Sequence, residues 1–222
     1  MPLQNRVTPR GEILAFEPRG TFMGNRGGAL HNEKHEIVRQ YASKRWITCL
    51  LEFKGRHRVL MSPRRYTELF FLDEAVALAA GHRPCAECRR EPFNAFKAAW
   101  RPEQVGNFLC ADDIDWELHK ARIDGPKQKV TYQADSKALP EGCFVQIRDG
   151  SYLVWREGLL RWSPGGYVEK HSWPDHGNVT VLTPEPIVSC LRHGYRPEIH
   201  QSAHALKNAA GAFAGKSFTS RT

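Results

Sequence analysis

A Cys-x-x-Cys pair, Cys85 and Cys88, is the feature that most constrains this chain. Two thiolates at this spacing can both reach about 2.3 Å from one tetrahedral Zn²⁺, so the pair is a common half of a metal site. The same spacing occurs in redox-active thiol pairs, which follow a strand and open a helix. Here the pair follows Gly81 and Pro84, which are typical of a helix end, and this context favours a metal site. A pair of unligated structural thiols is the other interpretation.

Length and cysteine content restrict the class of protein. The chain has 222 residues and six cysteines, with 41% hydrophobic and 25% charged residues, which is typical of a globular protein. No apolar run approaches the ~20 residues needed to span a bilayer, so we expect no membrane partner. The N-terminus lacks the apolar core of a secretion signal, and we therefore expect a cytoplasmic protein. Cysteines in that compartment are thiols or metal ligands.

The charge of the chain indicates a possible class of partner. The formal net charge is +8 and the isoelectric point is near 9.3. A basic protein gains free energy on nucleic acid because phosphate neutralisation releases counterions, whatever the base sequence. The charge therefore favours a nucleic-acid partner, and a basic surface with no such partner is the alternative.

Local patterns predict an α+β fold. Asp73 fits the N-cap of a helix that runs through Ala80, and Pro92 fits the first turn of a second helix. Residues 46–61 predict a β-hairpin because an alternating apolar run is followed by a basic turn. In the second half, short strand candidates are joined by the dipeptides Asp-Gly and Glu-Gly, which are typical of hairpin turns.

Residues 70–89 resemble the Ada-type zinc domain. This stretch reads FFLDEAVALAAGHRPCAECR, so a strand, an alanine-rich helix, a Gly-x-Arg-Pro turn and a Cys-x-x-Cys pair follow in the order found in that family. The resemblance covers roughly residues 20–100 and is interrupted by the hairpin, which the compact family domain lacks. It implies one structural zinc per chain.

The resemblance also implies where the remaining ligands lie. In the family the first two ligands are cysteines with three residues between them on an upstream strand end. Here the matching stretch has His31 and His35 at that spacing. The implied zinc set is therefore His31, His35, Cys85 and Cys88, and two imidazoles with two thiolates form an ordinary structural zinc site.

Cys49 is the rival ligand, since a thiolate binds zinc more strongly than an imidazole. Ile47, Cys49, Leu51 and Phe53 alternate along one strand and form a uniformly apolar face. A thiol on such a face packs as a small hydrophobic group. We therefore expect Cys49 to point into the core of the sheet and not to bind the metal.

The resemblance implies a zinc-folded platform that binds DNA in preference to RNA and serves DNA repair or defence. Ada-type domains repair methyl phosphotriesters through attack by a zinc-bound thiolate. With a histidine in the acceptor position, methyl transfer is not expected here. Arginines of the first half are the predicted phosphate contacts: Arg56, Arg58, Arg64, Arg65, Arg89 and Arg90.

The predicted organisation is an Ada-like zinc lobe at residues 1–104, built from a small antiparallel sheet and helices with the inserted hairpin. A small-sheet α+β lobe at 105–204 and a flexible tail at 205–222 follow. Carboxylates between Asp112 and His119 offer an alternative function, a metal-dependent nuclease or base-processing hydrolase, although an acidic helix start gives the same pattern. A structural zinc interaction module is the third possibility, so the sequence leaves enzymatic activity open.

Overall fold

The N-terminal half of the chain forms a six-stranded mixed sheet. The computed structural model describes residues 1–56, 59–100, 110–125, 128–174 and 177–206. The strands lie in the order β2-β1-β5-β3-β4-β6, with β1–β5 and β4–β6 parallel and the other neighbours antiparallel. Their bounds are β1 Arg6–Val7, β2 Ile13–Leu14, β3 Phe22–Asn25, β4 Ile47–Leu50, β5 Leu69–Phe71 and β6 Arg83–Pro84.

The C-terminal half forms a six-stranded antiparallel sheet in the order β13-β12-β11-β10-β14-β9. A short hairpin of β7 Ile123–Asp124 and β8 Gln128–Lys129 precedes it. The strands of the large sheet are β9 Tyr132–Asp135, β10 Phe144–Ile147, β11 Gly150–Trp155, β12 Gly158–Ser163, β13 Gly166–His171 and β14 Asn178–Val181. The expected α+β class, with one sheet in each half, is confirmed. The N-terminal sheet was expected to be antiparallel but is mixed, because β1–β5 and β4–β6 pair in parallel.

Five helices accompany the sheets within the described residues: α1 Glu74–Ala79, α2 Arg90–Trp100, α3 Ala111–Arg122, α4 Glu185–Arg192 and α5 Ser202–Ala205. The predicted helix start at Asp73 is confirmed, because its carboxylate accepts a hydrogen bond from the backbone N–H of Val76 at 2.9 Å. Gly81 ends this helix with φ +85°, a left-handed conformation that glycine adopts without strain.

Helix α1 lies between the two sheets and is buried along its whole length. Four of its residues pack with Phe144 and Leu153 of the C-terminal sheet in one hydrophobic cluster, while Leu78 joins a second cluster with α2, α3 and α4. Each cluster thus combines side chains from both halves of the chain. The predicted boundary at residues 104–105 and the tail beyond residue 206 lie outside the described residues.

Two sequence expectations about turns and pairing need correction. Strand β4 does not pair with residues near 60 in a hairpin but lies between β3 and β6. The turns in the C-terminal sheet begin one residue earlier than expected, because Arg148 and Arg156 adopt positive φ values of 54° and 52°. The glycine of each dipeptide is instead the first residue of the next strand.

The chain contains no helix, among the residues that the structure describes, with the length and apolar character needed to cross a membrane.

Candidate metal centre

Three cysteine sulfur atoms come together at one end of the N-terminal sheet. The Sγ atoms of Cys49, Cys85 and Cys88 all lie within 4.8 Å of one another. Parallel pairing of β4 with β6 produces this proximity: Thr48 is opposite Pro84, and the backbone N–H of Cys85 donates to the Thr48 carbonyl at 2.9 Å. Cys88 follows in the turn before α2. Cys85 and Cys88 therefore come from one short segment, and the third sulfur, that of Cys49, comes from strand β4, which is distant in sequence.

The three thiols change one another's pKa values. Hydrogen bonds from Cys49 and Cys88 lower the pKa of Cys85, because two S–H donors stabilise its thiolate. The same interaction with Cys85 raises the pKa of Cys49, since a second thiolate beside the first is repelled. These shifts favour a single thiolate on Cys85, which accepts hydrogen bonds from the other two thiols. A divalent cation removes this repulsion and permits all three to ionise.

The cluster borders an open cleft of about 480 Å³. Cys85 lines the cleft together with polar side chains that include Asn25, Ser43, Arg45 and Glu87. Within the described ranges no fourth histidine, cysteine or carboxylate joins the three sulfurs. Three protein ligands leave one position of a tetrahedral metal for water or another small ligand, and Cys85 is the ligand that lines the cleft. Three close cysteines can bind a metal ion, and such soft donors suit Zn²⁺.

The structure differs from the ligand set that the resemblance implied. His31 and His35 do not belong to the sulfur group. His31 is buried, with its Nδ1 2.7 Å from Thr67 Oγ1 and its Nε2 3.3 Å from the Ser62 carbonyl oxygen. His35 is exposed in a turn at φ 61°. The two imidazoles lie close to each other, with ring centroids 6.2 Å apart. Both ring nitrogens of His31, however, already contact Thr67 and Ser62 in neighbouring loops.

Cys49 was expected to point into the core of the sheet, but its sulfur lies beside those of Cys85 and Cys88. Strand β4 buries the polar Thr48 completely and leaves Ile47 and Cys49 half-buried, so the apolar side of the alternation is not its core side. The buried face of β4 is set by what packs against the sheet, which the alternation along the strand does not specify. One feature of the sequence favoured Cys49 as a ligand. A thiolate binds zinc more strongly than the imidazole of either histidine.

The arginines predicted to contact phosphate have different environments. Arg56, Arg64, Arg65 and Arg90 are exposed, while Arg58 lies outside the described residues. Arg89 is instead buried, with its side chain 1% exposed. Its guanidinium donates two hydrogen bonds to the Glu74 carboxylate at 2.7 and 2.9 Å. Arg89 is thus a structural residue of the α1–α2 contact, and it is not available to phosphate.

A basic aromatic surface adjoins the cleft and was not anticipated. Trp116, on α3, is 47% exposed. Lys44 places its Nζ 3.2 Å from the centroid of this ring, and Lys120 lies 5.0 Å from it. Arg45, which lines the cleft, follows Lys44 in the chain and is 66% exposed. We call Lys44, Arg45, Trp116 and Lys120 the Trp116 surface.

The acidic run on α3 does not form a metal site. Asp112 pairs with Arg45 at the surface, and Asp113 accepts a hydrogen bond from the backbone N–H of Cys110 at the helix start. Asp115 is buried and receives two hydrogen bonds from Arg83 at 2.9 and 2.7 Å. Each carboxylate thus has a structural partner, which agrees with an acidic helix start.

Comparisons with models of protein families, with characterised proteins and with solved structures find no match to this chain.

Proposed function

We propose that this chain is a zinc-containing nucleic-acid-binding protein. The observation that carries the proposal is the group of three sulfur atoms, Cys49, Cys85 and Cys88, within 4.8 Å of one another beside an open cleft. One Zn²⁺ held there would fasten β4 to the segment after β6, and water would complete its tetrahedron. The zinc would thereby fix strand β4. Lys44 and Arg45, two members of the Trp116 surface, lie just before this strand in the chain.

Charge and aromatic exposure support nucleic acid as the partner. The Trp116 surface combines three cationic side chains with one half-exposed indole. Single-stranded nucleic acid binds such surfaces because bases stack on the aromatic ring while lysine and arginine neutralise phosphates. Arg45 is paired with Asp112, but ion pairs this exposed contribute only about 0–1 kcal/mol, so a phosphate can replace the carboxylate. DNA is the expected nucleic acid on the strength of the Ada-type resemblance.

The metal half of the proposal is tested by elemental analysis of the purified protein. We expect one equivalent of zinc per chain in the wild type and a large loss in Cys49→Ser, because a serine hydroxyl does not ionise at neutral pH. Cys110→Ser is the matched control, since Cys110 is exposed and lies outside the sulfur group. Wild-type protein with well under one equivalent of metal contradicts a zinc site.

The nucleic-acid half is tested by fluorescence anisotropy with labelled single-stranded and duplex oligonucleotides at about 50 mM and about 200 mM salt. Trp116→Ala is expected to weaken single-strand binding by roughly 5- to 150-fold, the range that loss of one base stack produces. Arg45→Ala is expected to reduce the salt slope by about 0.7 for a single strand without changing sequence preference.

Arg161→Ala is the control for Arg45→Ala. Arg161 is also an exposed arginine in an ion pair, with Glu169 at 3.4 Å, and it lies on the C-terminal sheet. If the wild type fails to bind any oligonucleotide at low salt, the nucleic-acid proposal is refuted while the zinc result stands. If Arg161→Ala and Arg45→Ala weaken binding equally, the Trp116 surface is not the interface.

A further inference from the structure

A group of buried cations lies at the end of the N-terminal sheet away from the three sulfurs. Arg26, which follows β3, and Arg122, the last residue of α3, are each 1% exposed. Lys129, on β8, is half-buried beside them. The guanidinium carbons of Arg26 and Arg122 lie 4.0 and 4.1 Å from the Trp46 ring centroid, so a single indole positions both arginines.

Within the part of the chain that the structure describes, these cations have no carboxylate partner. Among the described residues, no ion pair within 4.0 Å involves Arg26, Arg122 or Lys129. Asp115 is the carboxylate whose charge acts on Arg122, and it is already held by two hydrogen bonds from Arg83. Buried charges are ordinarily paired, because removing an ion from water without a counter-charge is costly.

Backbone carbonyls account for only part of the hydrogen-bonding capacity of the cations. Arg122 donates to the Gly81 carbonyl from Nη1 at 2.8 Å and to the Lys44 carbonyl from Nη2 at 2.5 Å, and its Nη2 also lies 3.4 Å from His119 Nδ1. Lys129 donates to the Ala79 carbonyl at 2.6 Å, at the C-terminal end of α1. However, the Nε of Arg122 is buried and has no partner. Arg26 donates once from each nitrogen, to His82, Gln40 and Gly11, so each terminal nitrogen keeps one free N–H.

A small cavity lies between these side chains. It has a volume of about 40 Å³ and is lined by the three cations together with Arg10, Gly11, Gln40, Trp46, Ala80 and Ile123. A space of this size holds roughly three water-sized spheres, so only a small ligand group fits in it. Arg10 is half-buried at this wall, and its Nη2 donates to the Asp149 carbonyl at 2.5 Å.

We propose that Arg26, Arg122 and Lys129 form a binding site for one phosphate group. Its oxygen atoms would accept the unused N–H groups and supply the negative charge that the site lacks, as in other arginine-lined phosphate sites. Burial lowers the pKa of Lys129 to about 7 and that of both arginines to about 9, which is the expected behaviour of cations that lack an anion. This inference does not depend on the proposed nucleic-acid function.

The site and the sulfur cluster share two strands. Trp46 and His82 directly precede β4 and β6, while Cys49 lies on β4 and Cys85 directly follows β6. Because β4 and β6 are parallel, the aromatic residues gather at one end of the pair and the sulfurs at the other. A metal at the sulfur end would hold in register the strands that position Trp46 under the two arginines.

The test is thermal denaturation of the metal-loaded protein in inorganic phosphate, compared with chloride at equal ionic strength. We expect the melting temperature to rise with phosphate, by about 5–10 °C at 100 times the dissociation constant. Lys129→Met should weaken phosphate affinity at least about tenfold and reduce this shift correspondingly. Lys137→Met removes an exposed lysine instead and should leave the shift unchanged.

Three outcomes overturn the proposal. One is a wild-type melting temperature that does not respond to phosphate, confirmed by the absence of saturable heat in titration calorimetry, which requires no variant to fold. Another is an equal rise in melting temperature in the wild type and in Lys129→Met. Such a rise would come from the general exclusion of phosphate from protein surfaces, which stabilises folded proteins without a binding site. The third is a shift produced by acetate and not by phosphate.

The source of the phosphate group is distinguished by parallel titrations with inorganic phosphate and with a dinucleotide carrying or lacking a 5′-phosphate. Response to inorganic phosphate alone assigns the site to the free ion. Response to the 5′-phosphorylated dinucleotide, but not to its unphosphorylated counterpart, assigns it to the end of a nucleic acid. Either result supports the phosphate site, and failure of every titration rejects it without affecting the zinc measurement.

Discussion

Removal of the proposed zinc ion is expected to destabilise the protein by several kcal/mol, because a metal bound to the three cysteines would link two segments that are distant in sequence. A metal held by Cys49 and Cys85 closes a loop of about 36 residues. The chain-entropy relation for a cross-link gives roughly 4 kcal/mol for a loop of that length at 25 °C. This is a large fraction of the roughly 5–15 kcal/mol by which globular proteins are stable.

Circular dichroism melts measure this change directly. For a chain of this size, about 4 kcal/mol corresponds to a decrease of roughly 8–16 °C in melting temperature. We expect that decrease when a zinc chelator is added to the wild type, and its reversal when zinc is restored. Cys49→Ser should melt at the lower temperature without chelator, whereas Cys110→Ser should behave as the wild type does.

One result refutes this reasoning: protein that has demonstrably lost its zinc and still melts at an unchanged temperature. Such protein would have lost the link between β4 and the segment after β6 at no cost in free energy. Metal content and melting temperature must therefore be measured on the same samples. A second result would also refute it: a Cys49→Ser variant that contains as much zinc as the wild type and still melts at a lower temperature. The lower stability would then not be due to loss of the metal.

Three further outcomes are expected from the charged and glycine positions. Asp115→Asn should cost about 3–5 kcal/mol in urea denaturation because it leaves a buried arginine unpaired, whereas Asp112→Asn, in an exposed ion pair, should cost less than about 1 kcal/mol. Gly81→Ala should lower stability by roughly 1–2 kcal/mol in the same assay, because φ at this position is +85°. Burial lowers the pKa of Lys129 to about 7 from 10.5, so between these pH values the unfolded chain binds a proton that the folded chain does not. Stability in phosphate-free buffer should therefore rise as pH increases from about 7 to about 9, by up to about 1.4 kcal/mol per unit from this group, and Lys129→Met should flatten the rise.

The sequence by itself determined the features that depend only on residues close together in the chain, such as helix ends and hairpin turns. The cap at Asp73 and the left-handed glycine at Gly81 predicted the limits of α1, because both act within one helical turn. The Asp-Gly and Glu-Gly dipeptides located the hairpins of the C-terminal sheet to within one residue. Cys85 and Cys88 belong to the same short segment, so their common site was also a local inference.

Tertiary structure alone decided which side chains join across long separations. Cys49 meets the pair because β4 lies parallel to β6, a pairing that no periodicity in residues 46–61 encodes. Likewise, Arg26, Arg122 and Lys129 converge from three separate elements, and each is an ordinary basic residue in its own segment. Alternation along a strand shows that two faces differ, but the partners of the strand determine which face is buried, and those partners come from elsewhere in the chain.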